Sequence, residues 1–422
     1  MHCFSYIVEL AQRVFITLAP KSKIAFHARL LSSLRERIEE SVPLRERETG
    51  VPVWLILLAA LYVSPVAHAT PDMPPASAVS PVPDTLAGSG VPPAAPAEKP
   101  VPHIALLLPL KSPVFGSAAA AVQQGFMAAA VSQPLPIRVY ESGDESKDIT
   151  KLYPQAIANG AVAVAGPLTR DGVAALAADP GITVPTLALN IGGTKSADKL
   201  YFFGLSAEAE ARQVARLAVA ANLRNAIIVS TDAHLSRRLS QAFSDEWRVL
   251  GGSLESEILY NDDPTALADL PEKSGNMVFL AADAQTARLI HPYLNKALPV
   301  YATSQLFNGN ADTLTNYDLN NTYFVDMPWL LQPDHPAVMV YPRSDPPLGA
   351  DMERLYALGI DAFRLLQIML DNSYRTALPL DGVTGIIHLN GRHQFQREAI
   401  PAQLKQGRSQ LLEASPPSAV PH

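Results

Sequence analysis

The stretch that decides the fold is residues 104–131, IALLLPLKSPVFGSAAAAVQQGFMAAAV, an apolar run followed by an alanine-rich segment. The apolar run does not alternate with polar residues, which is typical of a strand buried on both faces of a sheet. The alanine-rich segment has the composition of a helix. A strand followed directly by a helix is the repeating unit of a parallel sheet, so this stretch predicts an α/β fold.

The same alternation continues toward the C-terminus. It predicts strands at residues 137–141, 161–166, 184–190 and 201–205, with helices at residues 149–159, 170–178 and 207–222. Ser206 is predicted to cap the last of these helices, and Glu208 and Glu210 are favourably placed in its first turn. These elements together predict a first parallel sheet covered by helices.

A second series of elements follows. It predicts strands at residues 226–230, 256–260, 277–280, 300–303 and 323–325, with helices at residues 235–250, 265–270, 284–294 and 351–371. A hairpin across Asn390-Gly391 closes the block. We therefore expect an α/β protein of two parallel-sheet sandwiches joined by a hinge. Lobe 1 would span about 103–221 plus a later return, and lobe 2 about 222–325 plus the C-terminal hairpin.

The segments on either side of residues 103–408 have other compositions. Residues 51–69 combine an apolar run with the small-residue site Ala67-His68-Ala69, which predicts a signal peptide, with an uncleaved membrane anchor as the alternative. Residues 70–102 are rich in Pro and Ala and predict a linker. Residues 1–50 are interpreted as a leader that lies upstream of the true translation start or is disordered, and a cytoplasmic helix is the alternative. Residues 409–422 are predicted to form a disordered tail.

The composition excludes several classes of protein and site. The chain has 422 residues, a net charge of -7 and 17% charged residues, which does not fit a general nucleic-acid binder. Its one cysteine, Cys3, allows no intramolecular disulfide and no cysteine-based metal site, and no cysteine follows residue 69 for lipidation. The histidines lack metal-ligand spacing, and nucleophile-elbow and phosphate-loop motifs are absent. No catalytic residue, metal or cofactor is predicted.

A set of short sequence words runs in order through residues 103–400. They are AGPL at 165–168, VPTLALN at 184–190, YFFGLS at 201–206, YATS at 301–304, FVDMPWL at 324–330, RLYALGIDAFR at 354–364 and GVTG at 382–385. Each word is weak alone, but their order is specific. In these words the chain resembles the LppC/LpoA family, the penicillin-binding protein activators.

The resemblance implies a type I periplasmic-binding-protein fold and a non-catalytic periplasmic regulator that binds and activates a bifunctional penicillin-binding protein, a peptidoglycan synthase. Two departures stand out, because residues 70–102 cannot form the family's N-terminal helical-repeat domain and the lipidated cysteine is missing. The alternative is a periplasmic solute receptor for an amino acid, peptide or cell-wall fragment. A small cell-wall-derived ligand and membrane association are left open, and no nucleic-acid partner is expected.

Five polar residues that follow predicted strands are candidates for a ligand cleft: Ser112, Thr169, Asn190, Asp232 and Ser304. Ligands of open parallel sheets bind beyond the carboxyl ends of the strands, which motivates this choice. Thr169 and the backbone N–H groups after it could hold a carboxylate at a helix N-terminus, or Thr169 could simply cap the helix. For all five residues, an ordinary role in turns is the alternative.

Two further features are weighed in the same way. Met327 and Trp329 are candidates for a partner surface, with core packing as the alternative. Ser196-Ala197-Asp198-Lys199 matches the Ser-x-x-Lys signature of penicillin-binding enzymes, but the companion motifs are absent. We therefore interpret it as a solvated loop.

Overall fold

A computed structural model describes residues 100–179, 181–192, 197–267, 270–271, 273–311 and 313–412. The predicted leader and signal peptide, almost all of the predicted linker, Ser196 and residues 413–422 lie outside the described residues. The predicted two-lobed block lies almost entirely within them.

Lobe 1 begins with five parallel strands in the order β2-β1-β3-β4-β5. The strands are β1 (His103–Leu108), β2 (Ile137–Glu141), β3 (Ala161–Ala165), β4 (Thr186–Ala188) and β5 (Leu200–Phe203). The helices between them are α1 (Gly116–Ala129), α2 (Glu145–Ala158) and α3 (Arg170–Ala177). Every residue of β1 is buried, as the unbroken apolar run at residues 104–108 predicts for all but His103.

Lobe 2 repeats this arrangement with five parallel strands in the order β7-β6-β8-β9-β10. Its elements are α4 (Ala207–Ala220), β6 (Asn225–Ser230), α5 (His234–Val249), β7 (Ser253–Leu259), β8 (Asn276–Ala281), α6 (Ala284–Ile290), β9 (Val300–Ala302), α7 (Thr313–Tyr317) and β10 (Tyr323–Asp326). Short 3-10 turns lie at Pro264–Leu267, His291–Tyr293 and Ser304–Leu306.

The chain then returns to lobe 1 and crosses once more. The returning elements are α8 (Pro328–Leu331), α9 (Pro336–Met339), α10 (Ala350–Leu370), α11 (Tyr374–Ala377), β11 (Leu380–Gly382), β12 (Gly385–Leu389) and β13 (Gln394–Glu398). Strand β13 lies parallel to β5, and β12 and β11 extend the sheet antiparallel. Strands β14 (Ile400–Lys405) and β15 (Arg408–Leu411) then join the sheet of lobe 2 beside β10. The chain therefore crosses between lobes three times, and the predicted two-lobed fold is confirmed.

Three of the predicted boundaries need correction. Helix α4 packs in lobe 2, where Val214 and Ala215 share a core with Phe243, so the first crossing lies near residue 206 and not 221. The hairpin across Asn390-Gly391 belongs to lobe 1, and the hairpin of lobe 2 is formed by β14 and β15. Residues 409–411, predicted as part of a disordered tail, lie in β15 because they pair with β14.

Helix α10 is pressed against α1 at two glycines. A Cβ on Gly125 would lie 1.8 Å from the carbonyl oxygen of Tyr356, and a Cβ on Gly359 would lie 2.1 Å from that of Val122. No side chain fits at either position, so the helices meet backbone to backbone. Helix α10 is thereby fixed to lobe 1, and its first turns are directed toward lobe 2.

Candidate functional site

The five predicted cleft residues all follow parallel strands, and the two lobes meet at these strand ends. The ion pair between Arg170 and Glu208 marks this meeting point. Arg170 begins α3, just after β3 of lobe 1, and Glu208 lies in the first turn of α4 in lobe 2. The candidate site is therefore the cleft between the lobes, and its wall is built from the loops after the strands.

Thr169 is fully engaged within the protein. Its hydroxyl accepts a hydrogen bond from the backbone N–H of Gly172 at 3.1 Å, which makes it the N-cap of α3. Its own backbone N–H donates to the Glu145 carboxylate at 2.6 Å, and the N–H of Leu168 donates to the same carboxylate at 3.0 Å. The structure shows the capping role, and an internal carboxylate accepts from the backbone N–H groups of Leu168 and Thr169, the residues just before α3.

Glu145 is a residue of the candidate site that sequence reasoning missed. It lies at the start of α2 and is buried, with 4% of its surface exposed. Burial raises the pKa of its carboxyl, although the hydrogen bonds from Leu168 and Thr169 oppose that shift. Gly172 leaves the space for it, because a Cβ there would lie 2.9 Å from the Glu145 Oε2. A lone glutamate near a helix start carries no sequence signal for such a role.

Asn190 fixes the same loop from its other side. Its side-chain amide donates to the carbonyl oxygen of Leu168 at 2.9 Å, and its Oδ1 accepts from the N–H of Ile191 at 2.9 Å. The structure thus brings Asn190 and Thr169 together, one on each side of Leu168. Both side chains hold the shape of the cleft wall.

Ser112 and Asp232 lie on the rims of the two lobes. The Ser112 hydroxyl accepts from the N–H of Phe115 at 3.2 Å, which shapes the turn before α1. This turn leaves the neighbouring Val114 73% exposed and Phe115 47% exposed. Asp232 is exposed and pairs with Arg237 on α5. These rims present both apolar and charged groups to the solvent.

Ser304 does not line the cleft, because it is buried at the base of the lobes with 1% of its surface exposed. Its backbone N–H donates to Glu210, and its carbonyl accepts from Arg354 of lobe 1. As a cleft residue, Ser304 was predicted wrongly, since the 3-10 turn that starts there folds it into the contact between lobes.

Met327 and Trp329 are buried, so their prediction as a free partner surface was wrong. The core-packing alternative is what the structure shows, in an apolar cluster with Tyr356 of α10. The indole N–H of Trp329 donates to Glu353 at 2.5 Å, and the Arg343 guanidinium lies 3.8 Å from the centre of the indole ring. The arginine cation interacts with the face of the indole ring, and Glu353 accepts the hydrogen bond of the indole N–H, so both the aromatic and the polar part of Trp329 have a partner.

Glu208 forms ion pairs with an arginine from each lobe. It accepts hydrogen bonds from Arg170 of lobe 1 and Arg238 of lobe 2. Burial alone would raise its pKa, but hydrogen bonds from its backbone and the two arginines lower the pKa to about 2. The sequence placed Glu208 correctly in the first turn of α4 and gave no sign of its arginine partners.

No group of three or more metal-ligating side chains occurs within the described ranges. In the same ranges, no helix has both the length and the apolar character needed to span a membrane.

Comparison with known proteins identifies related chains. A family model described as "LppC putative lipoprotein" matches residues 95–271 and 266–407. The penicillin-binding protein activator LpoA of Haemophilus influenzae is 26% identical over 321 residues, which cover 73% of this chain and 54% of that protein. The chain spans about half the length of the curated relatives it matches.

Two solved structures are similar to the chain. Full-length LpoA from Haemophilus influenzae has a TM-score of 0.64 and 26% identity, covering 74% of this chain and 59% of that one. A Chromobacterium violaceum structure described as "a putative branched-chain amino acid ABC transporter" has a TM-score of 0.63 and 38% identity, covering 72% of this chain and 100% of that one.

Proposed function

The chain belongs to the LppC family, and from this premise we propose that it is a non-catalytic periplasmic regulator that binds and activates a bifunctional penicillin-binding protein. The observation that carries the proposal is the extent of the family match, which runs through both lobes and all three crossings. The similarity to proteins named penicillin-binding protein activators supports it.

The cleft geometry supports a protein partner. The polar groups of the lobe 1 wall at Thr169 and Asn190 are satisfied by Glu145 and by the backbone. The exposed apolar residues Val114 and Phe115 stand on the rim beside this wall. A partner that covers the rim would bury these apolar side chains, which is the usual source of affinity between proteins.

The same geometry supports a non-catalytic role. The hydroxyls of Ser112 and Thr169 and the amide of Asn190 serve as caps and loop braces. The periplasmic location rests on the signal peptide predicted at residues 51–69, and residues 70–102 would form the tether.

A solute receptor is the second candidate, and a specific observation favours it. The 38% identical Chromobacterium structure carries the description "a putative branched-chain amino acid ABC transporter". An amino acid, a peptide or a cell-wall fragment would then bind in the cleft. The Glu145 carboxylate already accepts from the backbone N–H groups of Leu168 and Thr169, which argues against a ligand carboxylate at these two donors.

The proposed function is tested with the full chain and the bifunctional synthase of the same organism. We expect binding at roughly micromolar concentration and faster peptidoglycan synthesis. The double variant Val114→Ser/Phe115→Ser should weaken both, whereas Val249→Ser, at an 82% exposed apolar position on α5, should change neither. Absence of binding and of stimulation by the unchanged chain would contradict the proposal.

The receptor alternative is tested by thermal unfolding in the presence of amino acids, peptides and wall fragments. A ligand at 100 times its dissociation constant stabilises the folded protein by about 2.7 kcal/mol. A rise in the unfolding temperature with one of these compounds favours the receptor, and an unchanged temperature with all of them rejects it.

A further inference from the structure

We infer that a buried charge network locks the two lobes at one angle, so that the cleft does not open and close by hinge motion. The network joins residues beside all three crossings between the lobes. The consequence for the synthase, a preformed binding surface that spans both lobes, rests on the proposed function.

Arg354 is the centre of the network. It lies in α10, which the contact of Gly359 with Val122 fixes to lobe 1. Its guanidinium forms a bidentate pair with Asp326, the last residue of β10 in lobe 2, at 3.1 Å from Nε and 2.7 Å from Nη2. Nη2 also donates to the carbonyl oxygens of two lobe 2 residues, Ser304 at 3.0 Å and Phe307 at 2.7 Å.

The pair between Arg354 and Asp326 is almost completely buried. Arg354 is 5% exposed, and Asp326 is fully inaccessible to solvent. Burial by itself would lower the pKa of Arg354, but the carboxylates of Asp326, Asp351 and Glu210 raise it above its usual value. The guanidinium therefore stays charged, and a motion that separated it from Asp326 would leave a buried charge without its partner.

Glu210 connects the first crossing to the third. It lies in the first turn of α4 in lobe 2 and accepts the backbone N–H of Ser304 at 3.1 Å. Its other oxygen pairs with Arg397 of β13 in lobe 1, and both side chains of this pair are buried. Arg397 also donates to the carbonyl oxygen of Thr384 in lobe 1 at 3.1 Å. The charge on Glu210 thus ties the start of lobe 2 to the returning sheet of lobe 1.

Gln213 clamps the third crossing directly. Its side-chain amide donates to the carbonyl oxygen of Ala399 at 2.7 Å and accepts the Ala399 N–H at 3.0 Å. Ala399 is the residue between β13 and β14, where the chain passes from lobe 1 to lobe 2. Hinge closure needs a few residues at the crossings to change their backbone angles. Both backbone polar groups of Ala399 are held by α4, which resists such a change.

The inference is tested by measuring distances between the lobes in the full chain. Cys3 is replaced by Ser, and spin labels are attached to cysteines introduced at Val131 of lobe 1 and Leu314 of lobe 2, both exposed and both outside the proposed contact rim. Pulsed electron paramagnetic resonance should give one narrow distance distribution. Two distances, or a broad distribution, in this otherwise unchanged chain would overturn the inference.

Variants show whether the network causes the narrow distribution. Gln213→Ala and Arg354→Gln should each broaden the distribution about twofold or split it, because the crossings are then free to bend. The control is Arg248→Gln, which removes an arginine from an exposed ion pair on α5 and should leave the distribution unchanged. If Arg354→Gln does not fold, Gln213→Ala decides, and an unchanged distribution in a folded Gln213→Ala variant overturns the role of the clamp.

Adding the synthase separates this inference from the proposed function. Binding with an unchanged distance supports the preformed surface, and binding with a shifted distance overturns it. A synthase that does not bind contradicts the proposed function, while the narrow distribution of the chain alone still supports the locked lobes.

Discussion

The carboxylate of Glu145 lies 2.6 Å from the backbone nitrogen of Thr169, so a side chain of α2 accepts a hydrogen bond from the residue that caps α3. The N–H of Leu168 donates to the same carboxylate. In a solute receptor, a helix start at the carboxyl end of a strand is a natural place for an anionic ligand group. In this protein the carboxylate at that place belongs to Glu145 of the same chain, so the loop at Leu168 and Thr169 is shaped without a bound ligand.

Replacing Glu145 by Ala should destabilise the protein. The backbone donors of Leu168 and Thr169 would lose their acceptor inside the fold, which costs about 1–3 kcal/mol of unfolding free energy. The control is Glu141→Ala, because Glu141 forms an exposed ion pair with Lys111 and should contribute about 0–1 kcal/mol. Urea unfolding measures both variants. Equal losses for the two variants would show that the buried carboxylate does not brace the loop.

The ion pair between Glu208 and Arg170 should make stability depend on pH in the acid range. The pKa of Glu208 is lowered from 4.5 to about 2 in the folded protein, so the folded state binds fewer protons than the unfolded state between these values. The stabilisation is therefore fully present above about pH 4.5 and is lost as the pH falls toward 2. Because the pair is partly in contact with solvent, we expect a loss of about 1–2 kcal/mol.

Glu208→Gln should remove that part of the pH dependence. Unfolding free energies measured between pH 2.5 and 6 should differ between wild type and variant at the upper end of the range and converge at the lower end. Glu257→Gln, on the exposed face of β7, is the control and should follow the wild type. A constant difference between wild type and Glu208→Gln at all these pH values would show that the carboxylate charge is not the cause.

The architecture could be predicted from the sequence because its signal is local. Unbroken apolar runs such as β1 alternate with helical segments, and this rhythm alone indicates two parallel sheets. Strand β15 carries no such signal, since Arg408, Ser409 and Gln410 are polar and form a strand only by pairing with β14. The place of α4 was also missed, because an amphipathic helix at a crossing can pack on either lobe and only tertiary contacts decide.

The site was harder to predict than the fold. The helix start at Thr169 was found from its position after a strand, but Glu145 is 24 residues away and meets it only in the folded chain. The partners Arg354 and Asp326 are separated by 28 residues and lie on different lobes. Charged pairs of this kind leave no local pattern in the sequence. The spacing of strands and helices could therefore predict the cleft, but not the charged partners in its wall and at its base.

Trp329 should behave as a core residue and not as a contact residue. It is completely buried against Tyr356, so Trp329→Ala should lower the unfolding free energy by about 3–5 kcal/mol. Tyr317→Ala, at a 60% exposed aromatic position on α7, should cost no more than about 0.5 kcal/mol. Denaturant unfolding measures both variants. A stable Trp329→Ala variant that had lost only synthase binding would reverse this assignment.

The contact between α10 and α1 should tolerate no added side chain. In Gly359→Ala the new methyl group would overlap the carbonyl of Val122, and the helices would have to separate at a cost of about 1–3 kcal/mol. Gly349→Ala is the matched control, because no atom lies within 4 Å of a Cβ at this position just before α10. Urea unfolding should therefore place Gly349→Ala close to the wild type and Gly359→Ala well below it.

Gly359→Ala should also broaden the distribution of distances between the two lobes. Arg354 lies five residues before Gly359 on the same helix, so a displaced α10 carries the guanidinium away from Asp326. The distance distribution between labels at Val131 and Leu314 should then widen in Gly359→Ala and stay narrow in Gly349→Ala. If Gly359→Ala is destabilised but keeps the narrow distribution, the angle between the lobes does not depend on how α10 packs against α1. The contacts of Gln213 and Glu210 must then fix that angle without Arg354.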